Sequence, residues 1–160
     1  MKLKLILLPL FVPFVAHAAY PVITYQNARF GFFVDIPAPG FQPQGESDNG
    51  DGQAFLSIDG KSEIVASGGW LMEPDAPCSA GSYLESAAQV TYTHSKGEVS
   101  VVSGIIGDDV FYRKTIRVGS SEPGRCLNLS ITYPASQKNE MDEIVKNVSK
   151  GFRASQDFHG

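Results

Sequence analysis

A short acidic stretch, GESDNGDG at positions 45–52, contains the residue types that a calcium-binding loop uses. A loop of the EF-hand type places Asp or Asn at alternate positions before a glycine and closes with Glu six residues after it. If the last glycine of the stretch takes that place, Asn49 and Asp51 fit. Ser47, however, occupies the first ligand position, and the apolar Ile58 occupies the closing one. The pattern fails at both ends, so we expect no metal and no other cofactor here.

The same stretch has the composition of a turn, because Asn, Gly and Asp are residues that turns use. We predict a turn that enters a strand at Gln53, with a polar partner-binding loop as the functional alternative. The side chains of that loop would be Asp48, Asn49 and Asp51. Trp70 is a second candidate contact: it is either an aromatic anchor for a partner or a tryptophan that packs at the edge of the core.

Groups suited to catalysis are sparse. Beyond the N-terminal segment, the histidines are His94, in a predicted loop, and His159, next to the C-terminal residue. The sequence has no GxSxG, HExxH or phosphate-binding glycine motif. The acidic pairs at 108–109 and 142–143 are better explained as a turn and a helix surface. We therefore expect a protein that is not an enzyme.

The N-terminus predicts export. Lys2 and Lys4 precede an apolar run from Leu5 to Val15, and Ala16-His17-Ala18 follows as a small-x-small cleavage signature. The run is shorter than the about 20 residues that a membrane-spanning helix needs. We predict a signal peptide at 1–18, cleaved after Ala18, and a single periplasmic domain at 19–160. Because no cysteine follows the cleavage site, no lipid anchor is expected.

The charge balance limits the classes of partner. The signal peptide carries two of the 13 basic residues and none of the 17 acidic ones, so the mature chain has 11 against 17, a net charge of −6. No basic cluster is left for nucleic acid, and an anionic membrane surface is disfavoured in the same way. A protein partner or a small ligand remains.

Two cysteines, Cys78 and Cys126, are present, and in an oxidising compartment the economical interpretation is one disulfide. A reactive thiol at Cys78, ahead of a predicted helix, is the alternative.

The strand pattern predicts an antiparallel sheet. VITYQ and FGFFVDIP indicate strands, one hairpin is predicted to turn at Asp59-Gly60 and another near 107–109, and 125–134 indicates a further strand. Two helices are predicted. One lies at 79–90 with Ser79 as N-cap. The other begins after Ser136 as its N-cap and has an apolar stripe of Met141, Ile144, Val145, Val148 and Phe152. Sheet and helices together predict an α+β domain.

The segment YQNARFGFFVDIP, followed by NGDGQAFLSIDGKSEIVASG, resembles small exported bacterial proteins with the pattern Y-x-N-x-x-FGF-x-V-x-[IY]P and an NGDG loop. These proteins are similar to the PsbP/Mog1-like superfamily, which implies an antiparallel sheet flanked by helices. Members serve as photosystem accessory subunits, GTPase-binding factors and periplasmic immunity proteins against toxins, so the resemblance implies a binding role.

Two function classes follow from these expectations. The first is a non-catalytic periplasmic protein-binding module, such as an immunity or inhibitor protein that occludes a toxin or an envelope enzyme. The second is a periplasmic carrier of a small apolar ligand held between sheet and helices, an alternative that the ten Phe and six Tyr residues favour.

Overall fold

The computed structural model describes residues 21–73, 75–82, 84–119, 123–156 and 158. The predicted signal peptide lies outside these residues. The described chain forms ten strands, a short 3-10 helix at Ala135–Gln137 and one α-helix, α1, at Lys138–Gly151. The strands are β1 (Val22–Asn27), β2 (Phe32–Pro37), β3 (Phe41–Glu46), β4 (Gly52–Ser57), β5 (Glu63–Leu71), β6 (Gln89–Lys96), β7 (Val99–Ile106), β8 (Asp109–Val118), β9 (Gly124–Pro134) and β10 (Arg153–Ala154).

The strands form two antiparallel sheets. The small sheet has the order β1-β2-β10, and the large sheet has the order β3-β4-β5-β9-β8-β7-β6. Helix α1 packs mainly on β2 and β9, so the main core lies between the two sheets and the helix. The α+β class predicted from the sequence is confirmed.

The apolar stripe of α1 faces this core as its spacing predicts. Met141, Val148 and Phe152 are buried, while Ile144 and Val145 are partly buried and pack against the same cluster. The two hairpins also form as predicted. Gly60 and Gly107 take positive φ values of 70° and 60° at the turns, a conformation that glycine adopts without steric cost.

The predicted helix at 79–90 is wrong for the part of it that the structure describes. Residues 79–82 and 84–88 form turns and irregular backbone, and β6 already begins at Gln89. The helix-like spacing of Ala80, Leu84 and Ala88 serves another purpose, because these side chains cover Val102 and Phe111 in a second, smaller cluster. Apolar side chains at helical spacing can therefore also lie on one face of an irregular segment.

The helix caps predicted at both N-termini also differ. Ser79 caps no helix; its hydroxyl lies 3.5 Å from that of Ser100. Ser136 lies inside the 3-10 helix, and Gln137 precedes α1 without a side-chain capping bond. The Gln137 side chain instead donates to Asp59 at 2.9 Å and accepts from Ser62 at 2.9 Å, which joins the start of α1 to the β4–β5 hairpin.

The disulfide prediction is confirmed. Cys78 is bonded to Cys126 with a Cα–Cα distance of 5.6 Å, so the irregular segment after β5 is tied to β9. Among the described residues, no helix has the length and apolar character that crossing a membrane requires.

Candidate binding surface

The acidic stretch forms the turn between β3 and β4. The Gly50 amide donates to the Ser47 carbonyl at 2.8 Å, and the Ser47 amide donates to the Gly52 carbonyl at 2.9 Å. The Ser47 hydroxyl accepts from the amides of Asp51 and Gly52 at 2.9 and 3.1 Å. Ser47, the residue that does not fit the calcium pattern, therefore stabilises the turn through these hydrogen bonds.

Asn27, at the end of β1, holds this turn against the small sheet. Its side chain is fully buried, and its amide nitrogen donates to the Gly50 carbonyl at 3.0 Å and lies 3.2 Å from a Glu46 carboxylate oxygen. Its amide oxygen accepts from the Phe30 amide at 2.8 Å. One side chain thus joins the β1–β2 turn to the β3–β4 turn. Asn27 belongs to the Y-x-N-x-x-F spacing in the sequence, but that spacing does not indicate what Asn27 does.

Tyr25 supports the same junction. Its hydroxyl donates to the Glu46 carboxylate at 2.7 Å, and its ring packs edge-on against Phe32 and Phe55. Burial, and then the hydrogen bond to this carboxylate, raise the pKa of Tyr25 to about 12. Tyr25 is consequently a neutral hydrogen-bond donor at physiological pH.

Arg29 connects the turn to the aromatic side chains beside it. Its guanidinium forms an ion pair with Asp51 at 3.2 Å, donates to the Asn49 carbonyl, and lies 5.2 Å from the ring centroid of Phe30. The second Asp51 oxygen accepts from the Asn49 side chain at 2.5 Å. Both carboxylate oxygens of Asp51 are engaged by protein groups, whereas Asp48 is exposed. Within the described residues, no cluster of three His, Cys, Asp or Glu side chains is placed to hold a metal.

Trp70 lies at the same end of the molecule as the turn. The Gly68 amide, two residues before it, donates to the Asp51 carbonyl at 2.8 Å. The Trp70 ring is 5.2 Å from that of Phe30 and remains 38% exposed. Phe30 packs directly on Gly68, where a methyl group would overlap its ring. A continuous series of contacts therefore runs from Asp51 through Arg29 and Phe30 to Trp70.

These residues define one candidate surface, by which we mean Arg29, Asp48, Asn49, Asp51 and Trp70. The structure brings all four residues selected from the sequence together, and it adds Arg29, which sequence reasoning missed. The sequence gives no signal for Arg29, because its hydrogen bond and its ion pair join positions 20 or more residues apart.

Beside this surface lies a nearly buried cation. Arg125 is 8% exposed, donates to the Phe30 carbonyl at 2.6 Å and stacks over the ring of Phe158 at 3.9 Å. Burial lowers the pKa of its guanidinium. The ring centroid of Phe158 lies 6.4 Å from that of Trp70.

The candidate catalytic histidines are not part of this end of the molecule. The sequence predicts a loop at His94, but this residue lies in β6, opposite Val101, on an exposed edge strand. That strand is at the far edge of the large sheet from β3. His159 lies outside the described residues. A loop was predicted because TYTHSKGE is polar, and an exposed edge strand tolerates the same polarity.

The fold is PsbP/Mog1-like. Two similar solved structures are cyanobacterial PsbP (CyanoP) from Synechocystis sp. PCC 6803, with a TM-score of 0.57, and a mutant of the protein Mog1, with a TM-score of 0.54. The first is 9% identical and aligns over 91% of this chain and 99% of its own. The second is 10% identical and aligns over 86% and 97%. No protein-family model and no curated protein matches the sequence.

Proposed function

We propose that this protein is an exported, non-catalytic protein-binding module that engages its partner through the candidate surface. The observation that carries the proposal is the position of Trp70, which is partly exposed, supported from below by Phe30, and adjacent to a polar loop. Tryptophan and arginine are the residues that most often dominate binding energy at protein interfaces.

The loop is held in place before any partner binds. Asn27 fixes it from the core side, and Arg29 fixes it from the solvent side through Asp51 and Asn49. A loop ordered in advance loses little conformational freedom on binding, so more of the contact energy appears as affinity. Such rigidity suits recognition of a protein surface.

We further propose that the partner is a toxin or an envelope enzyme, neutralised by occlusion of its active cleft. The mature chain has a predicted net charge of −6, and Asp48 is exposed in the loop. An acidic surface accelerates association with a basic cleft, an effect that salt weakens. The disulfide is compatible with an oxidising compartment such as the periplasm, as the predicted signal peptide requires.

The alternative, a carrier of a small apolar ligand, has one cavity in its favour. It lies between β1 and the β3–β4 edge, has a volume of about 200 Å³ and is lined mainly by apolar side chains, among them Ile23, Ile36, Phe41, Pro43 and Phe55. Ligand pockets usually measure roughly 300–1,000 Å³. The cavity therefore suits only a small apolar group, and protein binding stays the proposal.

The test is capture of partners from envelope extract with the tagged mature protein. The variants are Asp48→Ala/Asp51→Ala and Trp70→Ala. Matched controls remove two acidic side chains from other turns, Glu98→Ala/Asp108→Ala, or one exposed aromatic from the far edge, Tyr92→Ala. Melting curves establish that each variant is folded.

We expect one stoichiometric partner, retained by the controls and weakened at least tenfold by each surface variant. If a partner is captured equally well by both surface variants, the surface is wrongly assigned. If no protein is captured while native mass spectrometry finds a retained small molecule, the carrier function replaces the proposal.

A further inference from the structure

We propose that Gly31, Trp70 and Arg125 form a slot that binds an aromatic side chain from an extended partner segment, and that Phe158 of this chain fills the slot when the partner is absent. The slot adjoins the candidate surface, so its biological meaning rests on the proposed function, although its binding chemistry can be tested separately.

Three different groups contact the Phe158 ring. Gly31 has a φ of +58°, and a methyl group at this position would overlap the ring, so the ring lies directly on the backbone. The Arg125 guanidinium carbon lies 3.9 Å from the ring centroid, and the Trp70 ring centroid lies 6.4 Å from it. Arg125 is itself fixed by its bond to the Phe30 carbonyl at 2.6 Å. The slot is therefore built from fixed groups.

The chemistry of Arg125 favours an aromatic occupant. This guanidinium is 8% exposed and forms no ion pair with any described residue. Arginine is almost never this buried without a paired charge. The face of an aromatic ring supplies the missing negative electrostatic partner, and the attraction strengthens when water is excluded. An aliphatic side chain of similar size would bury the cation without compensation, so the slot should discriminate between the two.

Residues 155 and 156 follow β10 and lead towards Phe158. After β10, the Ser155 amide donates to the Gly31 carbonyl at 2.7 Å, and Gln156 is exposed. An extended partner segment can supply the same two elements, an amide for Gly31 and a ring for the slot. Because a tethered segment competes at a local concentration of roughly millimolar, the native tail should raise the partner concentration needed for binding.

Trp70 provides the readout, since it is the only tryptophan in the chain. The full mature chain is prepared as wild type and as Phe158→Ala, and the synthetic peptide RASQDFHG, the sequence of residues 153–160, is titrated into each. Control peptides replace the phenylalanine with alanine or leucine. Melting curves verify that Phe158→Ala is folded, and Phe158→Leu, which keeps an apolar side chain, serves as a second background.

We expect Phe158→Ala to shift the Trp70 emission to longer wavelength and the peptide to reverse that shift saturably. The alanine peptide should bind at least tenfold more weakly, a difference of about 1.4 kcal/mol, and the leucine peptide should also bind more weakly than the phenylalanine peptide. Wild type should bind the peptide at least tenfold more weakly than the variant does.

Equal affinities for the phenylalanine and alanine peptides would refute the proposal that the slot binds an aromatic side chain. So would a Trp70 emission spectrum that Phe158→Ala leaves unchanged. Equal affinities for the phenylalanine and leucine peptides would overturn the role of Arg125. Peptide binding without any captured protein partner would support the slot and refute the proposed function. A captured partner without peptide binding would support the proposed function and refute the slot.

Discussion

Replacing Asn27 with alanine is the sharpest test of how the binding loop is held. The substitution deprives the buried Phe30 amide and the Gly50 carbonyl of their partners, at present 2.8 and 3.0 Å away. A buried polar group left unsatisfied costs about 1–3 kcal/mol. Water can reach the less buried Gly50, so we expect a loss of about 2–4 kcal/mol in the free energy of unfolding. For a domain of this length, 3 kcal/mol lowers the melting temperature by about 10 °C.

The assay is urea unfolding of wild type, Asn27→Ala and Asn27→Asp, with Asn49→Ala as the matched control in the exposed turn. Asn27→Asp keeps the acceptor for the Phe30 amide but places a carboxylate beside Glu46, so its loss of stability should shrink at acidic pH, where carboxyl groups are protonated. Asn49→Ala should cost less than 1 kcal/mol, as exposed substitutions usually do. If Asn27→Ala unfolds within 0.5 kcal/mol of wild type, the loop is not held as described.

Three further predictions concern the disulfide, a tyrosine and the acidic turn. Cys78→Ser/Cys126→Ser removes a cross-link that spans 48 positions, and the chain-entropy model gives this cross-link a stabilisation of roughly 4 kcal/mol. Urea unfolding should therefore show a large decrease in the free energy of unfolding. A decrease below 1 kcal/mol would contradict this prediction. The pKa of Tyr25 is raised to about 12, so its contribution to stability is complete below pH 10 and is lost as the pH rises through 12. The difference in tyrosinate absorbance between wild type and Tyr25→Phe should therefore titrate near pH 12. A midpoint near 10 would refute both the burial of the Tyr25 hydroxyl and its contact with Glu46. Calcium should leave the melting temperature unchanged, because both Asp51 oxygens are already bound by protein groups. A site saturated at 100 times its Kd would add about 2.7 kcal/mol, and a calcium-dependent rise lost in Asp51→Ala would show that the turn is a metal site.

The features that the sequence predicts well are those set by neighbouring residues. The apolar stripe on α1 and the Asp59-Gly60 turn depend on spacing and on single-residue conformational preference, and both form as expected. The disulfide follows from having two cysteines in a chain whose N-terminus predicts export. Local sequence patterns and the predicted compartment are sufficient to predict these three features.

Features that depend on distant contacts were harder to predict. The helix expected at 79–90 has helical spacing, but the small cluster with Val102 and Phe111 and the disulfide at Cys78 outweigh local preference. The sequence shows Asn27 only as part of a motif, because its partner Gly50 is 23 residues away. Its role becomes visible only when two turns meet.

The two edges of the large sheet differ in how they meet solvent, and this has a consequence for self-association. At one edge, β3 contains Pro43, lacks regular pairing between Pro43 and Glu46, and has Glu46 bonded to Tyr25. At the other edge, all eight residues of β6 are exposed, and they include Val90 and Tyr92.

A proline and an irregular register discourage the addition of another strand, whereas a long exposed edge invites it. On β6, the register shift between Val90 and Tyr92 and the charge of Lys96 are the features that oppose such pairing. Edge pairing would therefore join two molecules through β6, at the edge opposite the binding loop. It would end at that pair, because the β3 edge discourages further addition, and the binding loop would stay accessible.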